Sequence, residues 1–274
     1  ARLTQFSATI PSRLTKLWRL DENAQPEKIS GGQMVEGHAK VVGIANIDEF
    51  AALLQTLKPS QALAYGIPPI AEGPVMTRQN WLAAGKPASA VCRTKESMQW
   101  PDGPGVFLLD YDPEDPNTVL TRDELIKTVE AVCPDLAACG LVHWTSSSSN
   151  IYREDTGTQV RGLAGQRLYY LVENAIDIPE AGERLQTHLW AKGHGYIKIS
   201  TAGSLLPRTV VDSTVWQTNR LDFAAGAECV SPLVQRRGTP FVRPGRLVRL
   251  LTDIPKPSDA DEQRARRAIE AAKA

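Results

Sequence analysis

The clearest hydrophobic pattern in this chain is an apolar block that ends in acids. In "GVFLLDYDPED", residues 105–115, four large apolar residues in succession, Val106 to Leu109, run into Asp110 and Asp112 and stop at Pro113. A run with no polar alternation reads as a strand covered on both faces, and side chains two apart on a strand point the same way. Asp110 and Asp112 are therefore expected to share a face. Two carboxylates that close need a proton, an Arg or Lys, or a cation between them, because uncompensated charge is costly to take out of water. The competing reading is a solvated turn, since Asp and Pro also open loops.

Elsewhere the period is helical. "NIDEFAALLQTLKP" places Phe50, Leu53, Leu54 and Leu57 on one stripe between an N-cap, Asn46, and a stop, Pro59. In "TRDELIKTVEAVCP", Thr121 and Glu124 form a capping-box pattern, Leu125 and Val129 face inward, and Pro134 follows the end. "PEAGERLQTHLWAKGHG" predicts a third helix, with Leu185 and Leu189 inward and Gly193 as terminator. Strands are expected in "QALAYGIPP", "GLVHWTSSSSN" and "QRLYYLVENA", with one or two more in "GYIKISTAGSLLPRTVVDSTVW". The elements alternate without the regular spacing of a doubly wound fold, so a mixed α/β chain of α+β character with a partly antiparallel sheet is expected. No internal repeat is found. Residues 1–250 are taken as the core, and 251–274 as a Pro-containing linker and solvated helix that could lead to further C-terminal domains.

Composition narrows the field only a little. Thirty-one acidic and 31 basic residues cancel, so no global charge steers the chain to nucleic acid and any such surface must be local. No apolar stretch is long enough to cross a bilayer, the N-terminus lacks a signal peptide's apolar segment, and a cytoplasmic protein is expected. Cys92, Cys133, Cys139 and Cys229 form no CxxC pair; reduced thiols are expected and a zinc site is not. The first residue is Ala, from which processing or a fragment of a longer chain is expected.

A third acid changes the weight of the first two. Asp212 follows Val210 and Val211 in "RTVVDSTVW", which reads as the end of another buried strand, although a strand-end Asp bonded to a turn or an Arg would look the same. If the strands are neighbours, Asp110, Asp112 and Asp212 can converge on one or two divalent ions of the hard, oxygen-seeking kind, magnesium or manganese. Between them lies "HWTSSSSNIYREDTGTQVRGLAGQRLYYLV", whose serines could cradle phosphate oxygens or form a flexible loop.

In this order, "VFLLDYDPED", "HWTSSSSNIY" and "LLPRTVVDSTVW" resemble the three-motif series of the archaeo-eukaryotic primase superfamily, the primases and primase-polymerases. The resemblance covers roughly residues 85–225 and is strongest toward replication primases of plasmids, phages and mobile elements, with "RTKE" (93–96) and "NRLDF" (219–223) as weaker support. It implies an N-terminal α/β module joined to a module like an RNA-recognition motif, with the active site in the cleft between them. It implies Asp110, Asp112 and Asp212 as catalytic metal ligands for a two-metal Mg²⁺ or Mn²⁺ site, and Ser148 and Asn150 as the second motif. Asn150 stands where the family usually carries His. Arg161, Arg167 and Arg208 are candidates to supply the missing positive charge to a nucleotide. The implied activity is template-directed nucleotidyl transfer from an NTP or dNTP to a 3′-hydroxyl on single-stranded DNA, with a helicase domain or protein as a further partner.

Template contact is assigned to "VQRRGTPFVRPGRLVRLL", which carries Arg236, Arg237, Arg243, Arg246 and Arg249 without an acid, and where Phe241 could stack on a base or simply pack. His143 is read as a packed strand residue, His188 and His194 as helix-end residues, and Tyr111 as packing away from the aspartates. Two rivals remain. A glycosyltransferase with an Asp-x-Asp metal site accounts for the first motif only. A replication initiator or single-stranded DNA-binding module with a primase-like fold and no activity accounts for the absent His. A relaxase is disfavoured because no pair of histidines separated by one residue occurs.

Overall fold

Residues 1–115 and 118–274 are described here from a computed structural model. The first part of the chain supplies β1 (Arg2–Ile10), β2 (Leu17–Leu20), β3 (Pro26–Ile29), β4 (Glu36–Gly43), α1 (Ile47–Thr56), β5 (Gln61–Ala64), β6 (Glu72–Met76), α2 (Arg78–Ala83) and β7 (Val91–Cys92). The middle supplies β8 (Gly105–Tyr111), α3 (Arg122–Val132), β9 (Leu141–Thr145), β10 (Ile151–Arg153), β11 (Gln159–Arg161), β12 (Gln166–Val172) and α4 (Ile178–Ala191). The last part supplies β13 (Gly195–Ile199), β14 (Leu205–Thr209), β15 (Glu228–Cys229), β16 (Leu233–Gln235), β17 (Phe241–Arg243), α5 (Leu250–Asp253) and α6 (Asp259–Lys273).

The helices start where their caps are. Asn46 Oδ1 accepts the Glu49 amide at 2.9 Å to open α1. Thr121 and Glu124 exchange the reciprocal bonds of a capping box at α3, the Thr121 amide reaching Glu124 Oε2 at 2.8 Å. Past the end of α4, Gly193 adopts φ +83°, a left-handed conformation that suits glycine.

Two large sheets carry the molecule. The first runs β5-β1-β4-β6-β7, antiparallel except for the parallel β6–β7 pair. The central sheet runs β17-β9-β12-β8 and is antiparallel throughout. Because β12 lies between β8 and β9 and opposes both, β8 and β9 are parallel and α3 joins them in a split β-α-β unit. Smaller sheets, β15-β2-β3 and β11-β10-β16, and the β13–β14 hairpin complete a mixed α/β fold of antiparallel and mixed sheets. This is the α+β character expected from the pattern. No helix of the described residues is long and apolar enough to cross a membrane.

The central sheet is buried on both faces, which is why β8 and β12 show no polar alternation before their ends. On one face Tyr169 meets Phe50 of α1 edge-on, with ring centroids 5.1 Å apart. On the other, Phe107 stacks on Trp216 at 5.6 Å. Trp216 fills the space above Gly182 of α4, where a Cβ would come within 2.2 Å of the indole. Each such ring contributes about 1.5–3 kcal/mol by leaving water.

α6 departs from expectation. It is solvated on most of its surface, yet it lies against α4 and β13 and buries Ala265. The C-terminal helix is docked on the body rather than trailing from it.

Candidate functional site

Among the described residues no strand pairs with the outer edge of β8, so its carbonyls need other partners. The Asp212 amide donates to the Asp110 carbonyl at 2.8 Å, and Trp216 Nε1 donates to the Leu108 carbonyl at 2.8 Å. That edge pairing brings the third acid to the first. Asp212 is not on a buried strand as expected: β14 ends at Thr209, and Asp212 caps the short 3₁₀ turn Ser213–Val215. Its carboxylate accepts the Thr214 amide at 2.9 Å and the Thr214 hydroxyl at 2.7 Å, with Arg208 Nη1 at 3.5 Å. The turn-bonded alternative is thus realised at the same time as the approach to Asp110.

Asp110 is set directly opposite Arg167 in the β8–β12 register. Arg167 Nε lies 3.5 Å from Asp110 and 2.8 Å from Asp222, whose carboxylate also accepts Tyr65 at 2.6 Å and Tyr169 at 2.8 Å. Backbone bonds between Asp222 and Leu63, at 2.7 and 3.0 Å, hold this acid on the outer edge of β5. The two large sheets are therefore joined under the site by a buried ion pair between two tyrosine hydroxyls. Its geometry is not fully satisfied, because Arg167 Nε and Nη1 and Asp222 Oδ1 lack aligned hydrogen bonds.

The electrostatics follow from this crowding. Burial pushes the Asp110 carboxyl up to about 6; Arg167 opposes the rise, and Asp222, Asp112 and Asp212 add to it. Burial also works against the charge on Arg167, but Asp222 and then Asp110 outweigh it and hold the guanidinium above its ordinary value. Asp112, beyond the strand end, is exposed. It lines a cleft of about 130 Å³ with Tyr196, Lys198, Arg208, Thr209, Val210 and Asp212. A larger hollow of about 720 Å³ shares Asp112, Tyr196, Thr209 and Val210 with it and continues past Leu120 and His194.

The serine run is not a flexible loop. Ser146 to Ser149 are all buried, and their backbone and hydroxyls are tied down. The Ser146 amide reaches the Gly165 carbonyl at 2.8 Å, Ser149 Oγ reaches the same carbonyl at 3.1 Å, and Gln235 Nε2 spans the Ser146 and Ser149 carbonyls at 3.0 and 2.8 Å. Gly165 lets this turn approach the acids: a Cβ there would lie 2.9 Å from Ser146 Oγ and 3.4 Å from Asp112 Oδ1. Ser148 accepts from Lys16, a residue the sequence did not single out. Asn150 is used through its backbone, in the left-handed region at φ +59°, bonding Gly162 and Arg236 at 3.0 and 2.9 Å. The basic group opposite the Asp110 carboxylate is Arg167. Arg161 of β11, paired with Ile151 of β10, makes no ion pair among the described residues, whereas Arg208 sits on Asp212.

The basic stretch divides in two. Arg243 pairs with Glu130 at 2.6 Å, Arg246 with Asp253 at 2.6 Å, and Arg249 approaches Asp253 at 3.8 Å. Arg236 lies over the Tyr152 ring at 5.0 Å and Arg237 over the Trp144 ring at 3.9 Å, neither with a carboxylate partner among the described residues. Burial, and then Arg167, pushes Arg237 down to about 9. Phe241 is covered by Arg122 at 4.0 Å, so its face is not open to a base. His143 packs as expected, bonded to Gln166 Oε1 at 2.8 Å; the cysteines are free thiols.

Among the described residues no three Asp, Glu, His or Cys side chains are gathered into a ready metal cage. The donor chemistry still suits a hard cation: Asp110 is an under-compensated carboxylate with Asp112 and Asp212 close enough to raise it further. Comparison with protein-family models, with curated proteins and with solved structures finds no match.

Proposed function

We propose that the chain is a primase-polymerase catalytic core that joins an incoming nucleotide to a 3′-hydroxyl on single-stranded DNA. The observation that carries this reading is the bond from the Asp212 amide to the Asp110 carbonyl, which sets the acids of two distant segments side by side at a strand edge. The split β-α-β unit of β8, α3 and β9 with β12 inserted supports the part of the fold likened to an RNA-recognition motif, and the first sheet supports a second module across the site. Asp110, Asp112 and Asp212 would hold Mg²⁺ or Mn²⁺, which when bound stabilises charge on the reacting phosphate. In the reaction the O3′–Pα bond forms, the bond from Pα to the β-phosphate oxygen breaks, pyrophosphate leaves and the hydroxyl proton passes to solvent. The protein's own part is positioning and electrostatics: Arg167 keeps Asp110 oriented across β8 and β12, and Arg208 offers a cation beside Asp212 in the cleft.

A second reading is a DNA-binding module without activity. It is favoured by the same arginines, which already sit on Asp110 and Asp212, and by the lack of a gathered three-ligand group among the described residues. Nucleotide incorporation on single-stranded DNA, with and without primer, in Mg²⁺ or Mn²⁺, separates the two. Extension or dinucleotide synthesis that vanishes in Asp110→Ala and Asp112→Ala supports the polymerase; template binding without incorporation, indifferent to both changes, supports the module.

A further inference from the structure

We propose that the hollow walled by Arg236, Arg237 and the end of α1 is a binding site for a small organic phosphate, an apolar ring carrying a phosphate dianion. It stands apart from the polymerase reading and uses none of the three acids.

The hollow encloses about 610 Å³, within the roughly 300–1,000 Å³ typical of small-molecule sites. Leu54, Leu57 and Pro59, in and just after α1, give it an apolar side, and Val234 and Cys229 face them. It shares no residue with either hollow beside Asp112. Trp144, which also lines it, is opposite Arg167 in the β9–β12 register, and Arg167 is opposite Asp110 in the β8–β12 register. Trp144 is therefore two strand spacings from Asp110, about 10 Å across the sheet.

Two guanidiniums line this hollow, and no Asp or Glu among the described residues does. Arg236 is fixed at its amide, which donates to the Asn150 carbonyl at 2.9 Å. Arg237 Nη2 donates to the Thr145 carbonyl and, at 3.0 Å, to the Ala224 carbonyl. Those bonds and the Trp144 ring account for holding one arginine here. They leave Arg237 Nη1 without a hydrogen bond among the described residues, on the side of Gly226, where a Cβ would stand 3.5 Å from it. Nor do they account for a second arginine on the same hollow with no carboxylate for either. Burial works against the Arg237 charge and Arg167 adds to the penalty, which Tyr169 and Asp222 only partly offset. A phosphate dianion matches two positive charges, the planar guanidinium suits its oxygens, and the α1 side receives the ring.

Cys229 reports on occupancy, because it lines the hollow and is half-buried while Cys92, Cys133 and Cys139 are buried. The test measures the rate of maleimide labelling of Cys229 in the full chain, with Cys229→Ser as the blank, in the presence of phenyl phosphate, inorganic phosphate or a single-stranded oligonucleotide. Calorimetric titration of the same three probes into the unaltered chain, Arg236→Gln and Arg237→Gln runs in parallel, with melting curves to check folding. Phenyl phosphate is expected to bind and to slow labelling several-fold. Its affinity should fall about 10- to 100-fold in Arg237→Gln and by a smaller factor in Arg236→Gln. Labelling should be indifferent to the oligonucleotide, and Asp110→Ala should leave the protection intact. If Arg237→Gln fails to fold, protection in the unaltered chain still decides. Absent binding of phenyl phosphate, or binding that leaves Cys229 labelling unchanged, overturns the site. Inorganic phosphate binding as tightly as phenyl phosphate overturns it as a bare ion contact. An oligonucleotide that protects Cys229 or displaces phenyl phosphate overturns it in favour of a strand contact.

Discussion

Asp253 and Asp110 are both carboxylates withdrawn from bulk water, and the fold treats them in opposite ways. Asp253 is 1% exposed and accepts Arg246 through two nitrogens, at 2.6 and 2.9 Å, and the Arg249 amide at 2.8 Å. Burial alone would raise its pKa, but the Arg246 and Arg249 bonds reverse the shift and hold it low. Asp110 has one cation, Arg167, at 3.5 Å, and shares it with Asp222 at the shorter distance of 2.8 Å. Its carboxyl is pushed up to about 6. One acid is completed by the chain; the other is left with charge for something else to complete. The difference separates a structural cluster from a candidate reactive one without reference to motif.

The contrast breaks first in activity. Asp110→Ala or Asp112→Ala should cut nucleotide incorporation by about 10²–10³-fold or more, while Asp253→Asn leaves incorporation per folded molecule unchanged; gel-resolved extension products measure both. Stability should show the reverse ranking. Asp253→Ala is expected to cost about 3 kcal/mol in urea unfolding at neutral pH, the low end of the range for breaking a buried pair because Arg246 is partly solvated. Since the folded value of Asp253 is depressed, its contribution is present above the ordinary carboxylate range and fades as pH falls through the folded value. For Asp110 the sign inverts: a raised folded value means the fold binds the proton more tightly, so stability falls as pH rises from about 4 to about 6. Asp110→Asn should therefore stabilise the protein at pH 8 by about 1–3 kcal/mol and make little difference below pH 4, in melting curves without divalent metal. Adding Mn²⁺ should stabilise the unaltered chain and not the variant. The smallest effect divides the arginines: Arg236→Ala should weaken single-stranded DNA binding about two- to fivefold and flatten its salt dependence, whereas Arg246→Ala, and a change at Arg237, whose guanidinium is bonded to the Thr145 and Ala224 carbonyls, should not, as anisotropy titrations at several salt concentrations would reveal.

What could be read from the sequence was local. Caps and stripes within a dozen residues located α1, α3 and α4, and the uninterrupted apolar run located β8, because neither depends on remote partners. β1 and β4 were not read: much of that pair is half-exposed and polar residues such as Thr4 are buried in it, so no clean alternation survives. Asp110 and Asp112 stand out because they close an apolar run, and Asp212 because it follows two valines, although β14 ends three residues before it; Arg167 stands out as a charge in "QRLYYLV". Lys16 and Asp222 were missed because they join the site over long separations, 132 residues for Lys16 to Ser148 and 157 for Asp222 to Tyr65. An acid between apolar neighbours in "RLDF" was the available signal for Asp222. Asn150 drew notice by its place in a motif, yet a left-handed turn needs its backbone.

The parallel pairing of β2 with β15 has a consequence for how the protein comes into being. Lys16 lies far ahead in the chain of the strand that fixes it, which begins at Glu228, and the Gln235 amide that pins the serine turn comes later still. Asp110 and Asp212 need only the chain up to residue 212 to meet, whereas the lysine and the serine turn wait for β15 and Gln235, so that side of the site closes late, with a large loop-closure cost. A chain that stops short of β16 contains Asp110, Asp112, Asp212 and Asp222 but lacks the Gln235 amide that pins the serine turn beside them.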